Sequence, residues 1–408
     1  METPFLNFIA ALSIIIIVAK ASGYVSTRLG QPAVLGELIA GIIIGPTILD
    51  ILHTWPVFAE DEHLSESILL MAEIGVLLLM MLAGLELDLK GLLDSGKTSG
   101  LAGTLGVFIP LLMGFGTALL FGLDSSAAFV MALALAATSV SISAQTLMEL
   151  NVLRTRVGLA LLGAAVFDDI LVILLLSVAS IFIGGAAAGG YTFIFETVIR
   201  IVLFLAIASA LGFWLLPWLA AHINHLPVSQ GALAFVLVAT LLYGWSAEAI
   251  GGIAAITGAF LVGLFLSRSP LRNQLEAGVS AIAYGFFVPV FFVSIGLEVN
   301  MRAISGEAWI FAIVITIVAI LSKIIGSGLG ARISGFTNLE SLQLGIGMVS
   351  RGEVGLIVAT FALANGLLSQ DGFSIAVFMV IIATLVTPPL LRLSFREQVA
   401  EVPSDQFT

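Results

Sequence analysis

The sequence contains no cysteine, which excludes disulfides, thiol catalysis and cysteine-ligated metal sites. Charge is also scarce: charged residues make up 10% of the 408 positions, against about a quarter in soluble domains. That shortage leaves no stretch able to form a soluble domain of useful size. The formal net charge of -11 disfavours nucleic acid as a partner and is compatible with attraction of cations. The start Met1-Glu-Thr-Pro has no basic n-region, so the first apolar segment is expected to remain as a helix and not be removed as a signal peptide. A Gly-x-Gly-Asp motif is missing as well, which counts against an intramembrane aspartyl protease. So does the adjacency of the most conspicuous acids, because neighbours on one helix diverge by roughly 100°.

What is present is hydrophobic length. Sixty per cent of the residues are apolar and the mean hydropathy is +1.17. Apolar runs able to cross about 30 Å of hydrocarbon recur from end to end, so the chain reads as an all-α polytopic membrane protein and not as an outer-membrane barrel. Gly, Pro and polar punctuation gives about thirteen transmembrane helices, near 5–27, 33–51, 66–87, 98–122, 126–150, 157–183, 193–220, 229–247, 250–267, 278–297, 304–331, 338–364 and 372–392. Loops after odd-numbered spans carry Arg28, Lys90, Lys97, Arg154, Arg156, Arg268, Arg272, Arg332, Arg392 and Arg396, whereas the other side has only Arg302. By the positive-inside rule the N-terminus is outside and the C-terminus cytoplasmic.

The third span ends Gly84-Leu-Glu-Leu-Asp88 and the tenth ends Gly296-Leu-Glu-Val-Asn300, 212 positions later, and the same offset carries Thr138 onto Ser350. An odd number of crossings separates the matching spans, so the halves form an inverted-topology repeat with span seven as linker. Span five contains Ala136-Ala-Thr-Ser-Val-Ser-Ile-Ser143 and span twelve contains Gly345-Ile-Gly-Met-Val-Ser-Arg-Gly-Glu353. Polar and glycine residues at repeat-related depths predict two discontinuous helices, although small residues also serve close helix packing. Arg351 and Glu353 are placed to compensate half-helix dipoles or each other.

Asp168 and Asp169 are the only charged residues between Val157 and Phe195. A carboxylate at mid-membrane costs about 2.5–3.5 kcal/mol on insertion scales, so two in succession call for a functional explanation. Lys323, in span eleven, stands where the other repeat has Leu111, and it is the leading partner for an acid at that depth. Snorkelling toward the cytoplasm near Arg332 is the competing reading. One aspartate is expected to pair with Lys323 while the other faces water and binds a cation. Desolvation then makes proton and metal-cation occupancy mutually exclusive near physiological pH. Glu37 and Glu73 read as interface or hydrogen-bonding residues, His53, His63, His222 and His225 as loop or interfacial ones, and Gly41 with Gly45 as a close helix contact.

On Gln31-Pro-Ala-Val-Leu-Gly-Glu37, Ala137-Thr-Ser-Val140, Gly163-Ala-Ala-Val-Phe-Asp-Asp-Ile170, Ser322-Lys-Ile-Ile-Gly326 and Ser350-Arg-Gly-Glu-Val-Gly-Leu-Ile357, the chain resembles the second family of monovalent cation/proton antiporters, most closely the NapA type. The resemblance covers nearly the whole chain. It implies the sodium/proton antiporter fold with crossing broken helices, and exchange of sodium or lithium for protons by elevator-like alternating access, without a cofactor and without enzymatic activity. It implies Asp169 as the principal ion- and proton-binding carboxylate and transient sodium ligand. Asp168 would pair with Lys323 until sodium binds, Thr138, Ser139 and backbone carbonyls would complete the ion shell, and Ser350, Arg351 and Glu353 would support the crossing. It further implies a homodimer in membrane lipid, in the inner membrane of a bacterial cell, with no obligate soluble partner. Residues 1–97 and 226–303 would form the dimerisation domain, 98–190 and 304–396 the transporting core, 191–225 the linker helix and 397–408 a cytoplasmic tail. Relatives with an aspartate pair are electrogenic, exchanging two protons per sodium ion, which is the expectation here. Potassium/proton exchange is the alternative within the family and a cation channel the alternative outside it. Potassium-efflux relatives usually carry a cytoplasmic nucleotide-binding domain, and this sequence stops soon after Arg396, whether naturally or by truncation.

Overall fold

A computed structural model describes residues 4–59, 61, 63–87, 89–184, 190–224, 227–298, 300–304 and 306–396, without the side chains of 89, 177–184, 190–194, 224, 303, 307, 353 and 364. Every regular element among the described residues is helical. The order is α1 (Pro4–Arg28), α2 (Ala33–Ile44), α3 (Ile51–Thr54), α4 (Leu64–Glu86), α5 (Leu89–Asp94), α6 (Gly96–Leu120), α7 (Ser125–Ala136), α8 (Val140–Glu149) and α9 (Arg156–Gly184). It continues with α10 (Gly190–Asn224), α11 (Gly231–Ser246), α12 (Ala255–Leu266), α13 (Arg272–Ile282), α14 (Val288–Leu297), α15 (Trp309–Ile333), α16 (Asn338–Gly347), α17 (Glu353–Ala364) and α18 (Gln370–Ser394). Among the described residues ten stretches are long and apolar enough to cross a membrane, and α2, α12 and the apolar part of α17 add three shorter ones. These account for the thirteen spans read from the sequence. Asp88 of the repeat motif, His225 and the tail 397–408 lie outside the described residues.

The chain divides into two compact units. The first comprises Met1–Lys20, Ala40–Leu93 and Ile173–Glu298. Within it α4 packs on α12 and α14, and small residues allow the close approach. A Cβ on Gly84, at the end of α4, would lie 2.2 Å from the Phe260 carbonyl of α12, and one on Gly296, at the end of α14, would lie 2.4 Å from the backbone of Gly41 on α2. These are equivalent contacts in the inverted repeat, because α4 matches α14 and α2 matches α12. Gly41 and Gly45 both abut the α14 backbone, the close helix contact that their spacing predicts.

The second unit comprises Ala21–Ile39, Asp94–Val172 and Val299–Thr408. The end of α1 and the start of α2, residues 21–39, thus group with it, whereas the sequence reading kept 1–97 together. The physical reason is local. The Ala33 N–H at the start of α2 donates to Glu149 Oε2 at the end of α8 (2.7 Å), and the Arg392 guanidinium of α18 packs on Gly30, whose φ of 72° suits glycine. In this unit α6 lies along α15, which also holds α16 and α18. Gly326 and Gly330 of α15 sit against the α6 backbone at Leu105 and Leu101.

Spans five and twelve are both interrupted. Helix α7 ends at Ala136, with Ala137 and Ser139 extended (ψ 145° and 113°), before α8 begins at Val140. Helix α16 ends at Gly347 and α17 begins at Glu353. The start of α7 is fixed by Asp124, which accepts from the Ser126 and Ala127 N–H groups. The start of α16 is fixed by a reciprocal capping box between Thr337 and Glu340.

Candidate ion-binding site

The two interruptions meet. The Ser139 N–H, freed by the break in span five, donates to the Ser350 carbonyl (2.9 Å), and the Ser350 hydroxyl donates to the Ser139 carbonyl (2.7 Å). Ser143, one turn into α8, donates to the Gly347 carbonyl at the end of α16 (2.5 Å) and lies 2.8 Å from Ser350 Oγ. Backbone groups that lost their helical partners therefore satisfy one another across the crossing, as the hydrocarbon region demands. Gly352 makes the approach possible: a Cβ there would lie 2.7 Å from Ser139 Cβ and Oγ.

The end of α16 carries the partial negative charge of its dipole, and Arg351 answers it. One guanidinium nitrogen, Nη1, donates to the carbonyls of Met348 (3.0 Å) and Val349 (2.7 Å), and Nη2 donates to the Ala319 carbonyl of α15 (3.0 Å). The side chain is completely buried. Its own carbonyl accepts from the Thr384 hydroxyl of α18, so one residue ties the break to two further helices. The side chain of Glu353 lies outside the described residues.

Asp168 and Asp169 sit midway along α9, buried to 0% and 2% exposure. Lys323 is equally buried, and its Nζ donates to Asp168 Oδ1. The lysine is therefore held at depth by an acid on another helix and does not snorkel. A buried pair of this kind survives because removal of either member strands the other charge. Thr138 Oγ1 faces the Asp168 carboxylate, yet Thr138 Oγ1 and Asp168 Oδ2 complete no hydrogen bond of normal geometry among the described residues. Asp169 and Arg351 lie within electrostatic reach of Lys323. The structure thus gathers Thr138, Asp168, Lys323 and Arg351, with Ser139 and Ser350 at the crossing itself. Oxygen donors of this kind suit hard cations.

Sequence reasoning missed Ser143 and Thr384. Ser143 belongs to the Ser-rich run already singled out, but Thr384 is one of two threonines in the apolar stretch of α18, and only its position against Arg351 distinguishes it. The other titratable residues lie apart from this cluster. Glu37 is buried on α2, with its Oε1 3.5 Å from where a Cβ on Gly23 would stand. His53 pairs with Asp50 (2.6 Å), His63 approaches Glu66 (3.5 Å) and His222 stacks on Trp218.

Comparison with known proteins places this architecture. Residues 12–393 match the sodium/hydrogen exchanger, transmembrane family. The chain is 41% identical to the probable Na(+)/H(+) antiporter GerT of Bacillus cereus, over 95% of its length and 99% of that protein. It is 40% identical to the Na(+)/H(+)-K(+) antiporter GerN of the same organism, over 95% and 96%. The solved structure of the sodium proton antiporter MjNhaP1 from Methanocaldococcus jannaschii superposes with a TM-score of 0.70, covering 98% of this chain and 99% of that one at 18% identity, which is a likeness of fold. The chain belongs to the sodium/hydrogen exchanger family, in its second cation–proton antiporter branch. It is a multi-pass membrane protein of a family of transporters.

Proposed function

We propose that the protein exchanges sodium or lithium for protons across the inner membrane of a bacterial cell, as a homodimer with its N-terminus outside. The observation that carries this reading is the buried Lys323–Asp168 pair beside Asp169, at the meeting point of two interrupted helices. Asp169 holds the sodium ion or the proton. Asp168 is occupied by Lys323 until sodium arrives, and Thr138, Ser139 and carbonyls of the break add oxygen ligands. Ser350, Arg351 and Glu353 keep the crossing in shape. Occupancy by sodium or by protons neutralises the carboxylates, and only then does the core, formed chiefly by 98–190 and 304–396, move against the dimerisation helices of 1–97 and 226–303. With two acids and a lysine taking part, the exchange is electrogenic, two protons for one sodium ion.

A second reading, potassium in place of sodium, is favoured by one observation: GerN, 40% identical to this chain, is an antiporter of Na(+), H(+) and K(+) by name. Purified protein in proteoliposomes with an imposed pH gradient separates the two through a series of sodium, lithium and potassium. In the same assay Asp169→Asn is expected to abolish exchange. Full exchange by that variant would overturn the assignment of Asp169, and a current without proton coupling in the unaltered protein would make it a channel.

A further inference from the structure

Ser327 lies one helical turn beyond Lys323 on α15, fully buried. Its hydroxyl has no hydrogen-bond partner among the described residues. That is unusual for a serine inside a helix, where the carbonyl one turn back is within reach. On the same helix Thr316 donates to Ala312 (2.6 Å), and at its C-cap Ser334 donates to Gly330 (2.8 Å), in this way. Ser327 instead turns its hydroxyl toward α6, at Gly106. A Cβ on Gly106 would lie 2.2 Å from Ser327 Oγ and 3.8 Å from Lys323 Nζ, so the hydroxyl and the ammonium border the same notch, which glycine alone leaves open.

Lysine carries three donors on a flexible stem, and Lys323 has its hydrogen bond to Asp168. When sodium takes Asp168, the displaced lysine head needs another partner, because a buried polar group without one is costly. Side chains on a helix lean toward its N-terminus, so Ser327 leans back over the turn that bears Lys323. We propose that Ser327 is a positioning residue, the alternate hydrogen-bond partner that receives the Lys323 head group when Asp168 is released to sodium, and that Gly106 keeps the space in which this exchange of partners occurs. The inference rests on the sodium-exchange reading above.

The released state is the one in which sodium is bound, so loss of its hydrogen bond weakens sodium binding. Ser327→Ala is expected to raise the KM for sodium about tenfold, the worth of one hydrogen bond to a charged group, with kcat at saturating sodium little changed. Gly106→Ala, whose methyl would displace the hydroxyl, should do the same. The double variant Gly106→Ala/Ser327→Ala discriminates between roles. There the methyl fills the volume vacated by the hydroxyl, so a purely packing role predicts return to the wild-type KM, whereas loss of the lysine's partner predicts a KM as high as in Ser327→Ala. All variants are compared in proteoliposomes by initial rates over a sodium series, with folding checked by monodisperse elution from a sizing column. Restoration by the double variant, or an unchanged KM in Ser327→Ala, would overturn the proposal. Absence of sodium/proton exchange in the unaltered protein would instead overturn the reading on which it rests. If Ser327→Ala fails to fold, Gly106→Ala alone carries the same KM expectation, and an unchanged KM there overturns the proposal.

Discussion

Lys323 and Asp168 depend on each other for their burial. Lys323→Met or Asp168→Leu alone leaves a desolvated charge unmatched, and each is expected to destabilise the protein by about 3–5 kcal/mol. Replacing both with apolar residues of similar volume is neutral or stabilising in other buried pairs, so Asp168→Leu/Lys323→Met should unfold at or above the temperature of the unaltered protein in detergent. A double variant as unstable as the sum of the singles would show that the two residues are not coupled. Charged members of the site were legible in the sequence because each interrupts an otherwise apolar run. Thr384 and Ser327 were not. Serine and threonine inside apolar helices ordinarily satisfy themselves on their own backbone, and only the packing reveals that Ser327 does not.

At the scale of the element, the interrupted helices are positioned by different kinds of contact, and substitutions should separate them. Gly352→Ala would bring a methyl to 2.7 Å from Ser139 and force the two breaks apart. Overpacking of this kind costs about 1–3 kcal/mol, and here the expected loss falls on transport as well, measured as the exchange rate per folded molecule. Thr337→Ala serves as the control. It removes the cap of α16 at a cost of about 1 kcal/mol while leaving the crossing intact, so exchange should persist. Equal loss of transport in both variants would mean that the close approach at Gly352 has no special part. The breaks were legible because polar residues recur at one offset in both halves. The assignment of the end of α1 and the start of α2 was not, since it depends on Glu149 and Arg392 meeting a segment distant in sequence.

For the whole molecule, charge accounting sets the expectation. Asp168, Asp169, Lys323 and Arg351 sum to zero when both acids are ionised and both bases protonated, and a sodium ion adds one positive charge. If Lys323 supplies one of the two exchanged protons, Lys323→Ala should carry less charge per cycle, read as a smaller current on a supported membrane at matched sodium flux. Unchanged current per ion would remove the lysine from the proton count. The count of spans was legible because a bilayer requires each crossing to satisfy its own backbone, a rule that acts along the sequence. The grouping of residues 21–39 with the second unit was not, because it arises from contacts between segments far apart in the chain. The paired hydrogen bonds between Ser139 and Ser350 also have a mechanical meaning. They act as a rivet through two half-helix junctions, so opening the site from within would break several buried bonds together. On the exchange mechanism proposed above, translating it intact would break none, and the ion would travel as a passenger in a closed cartridge.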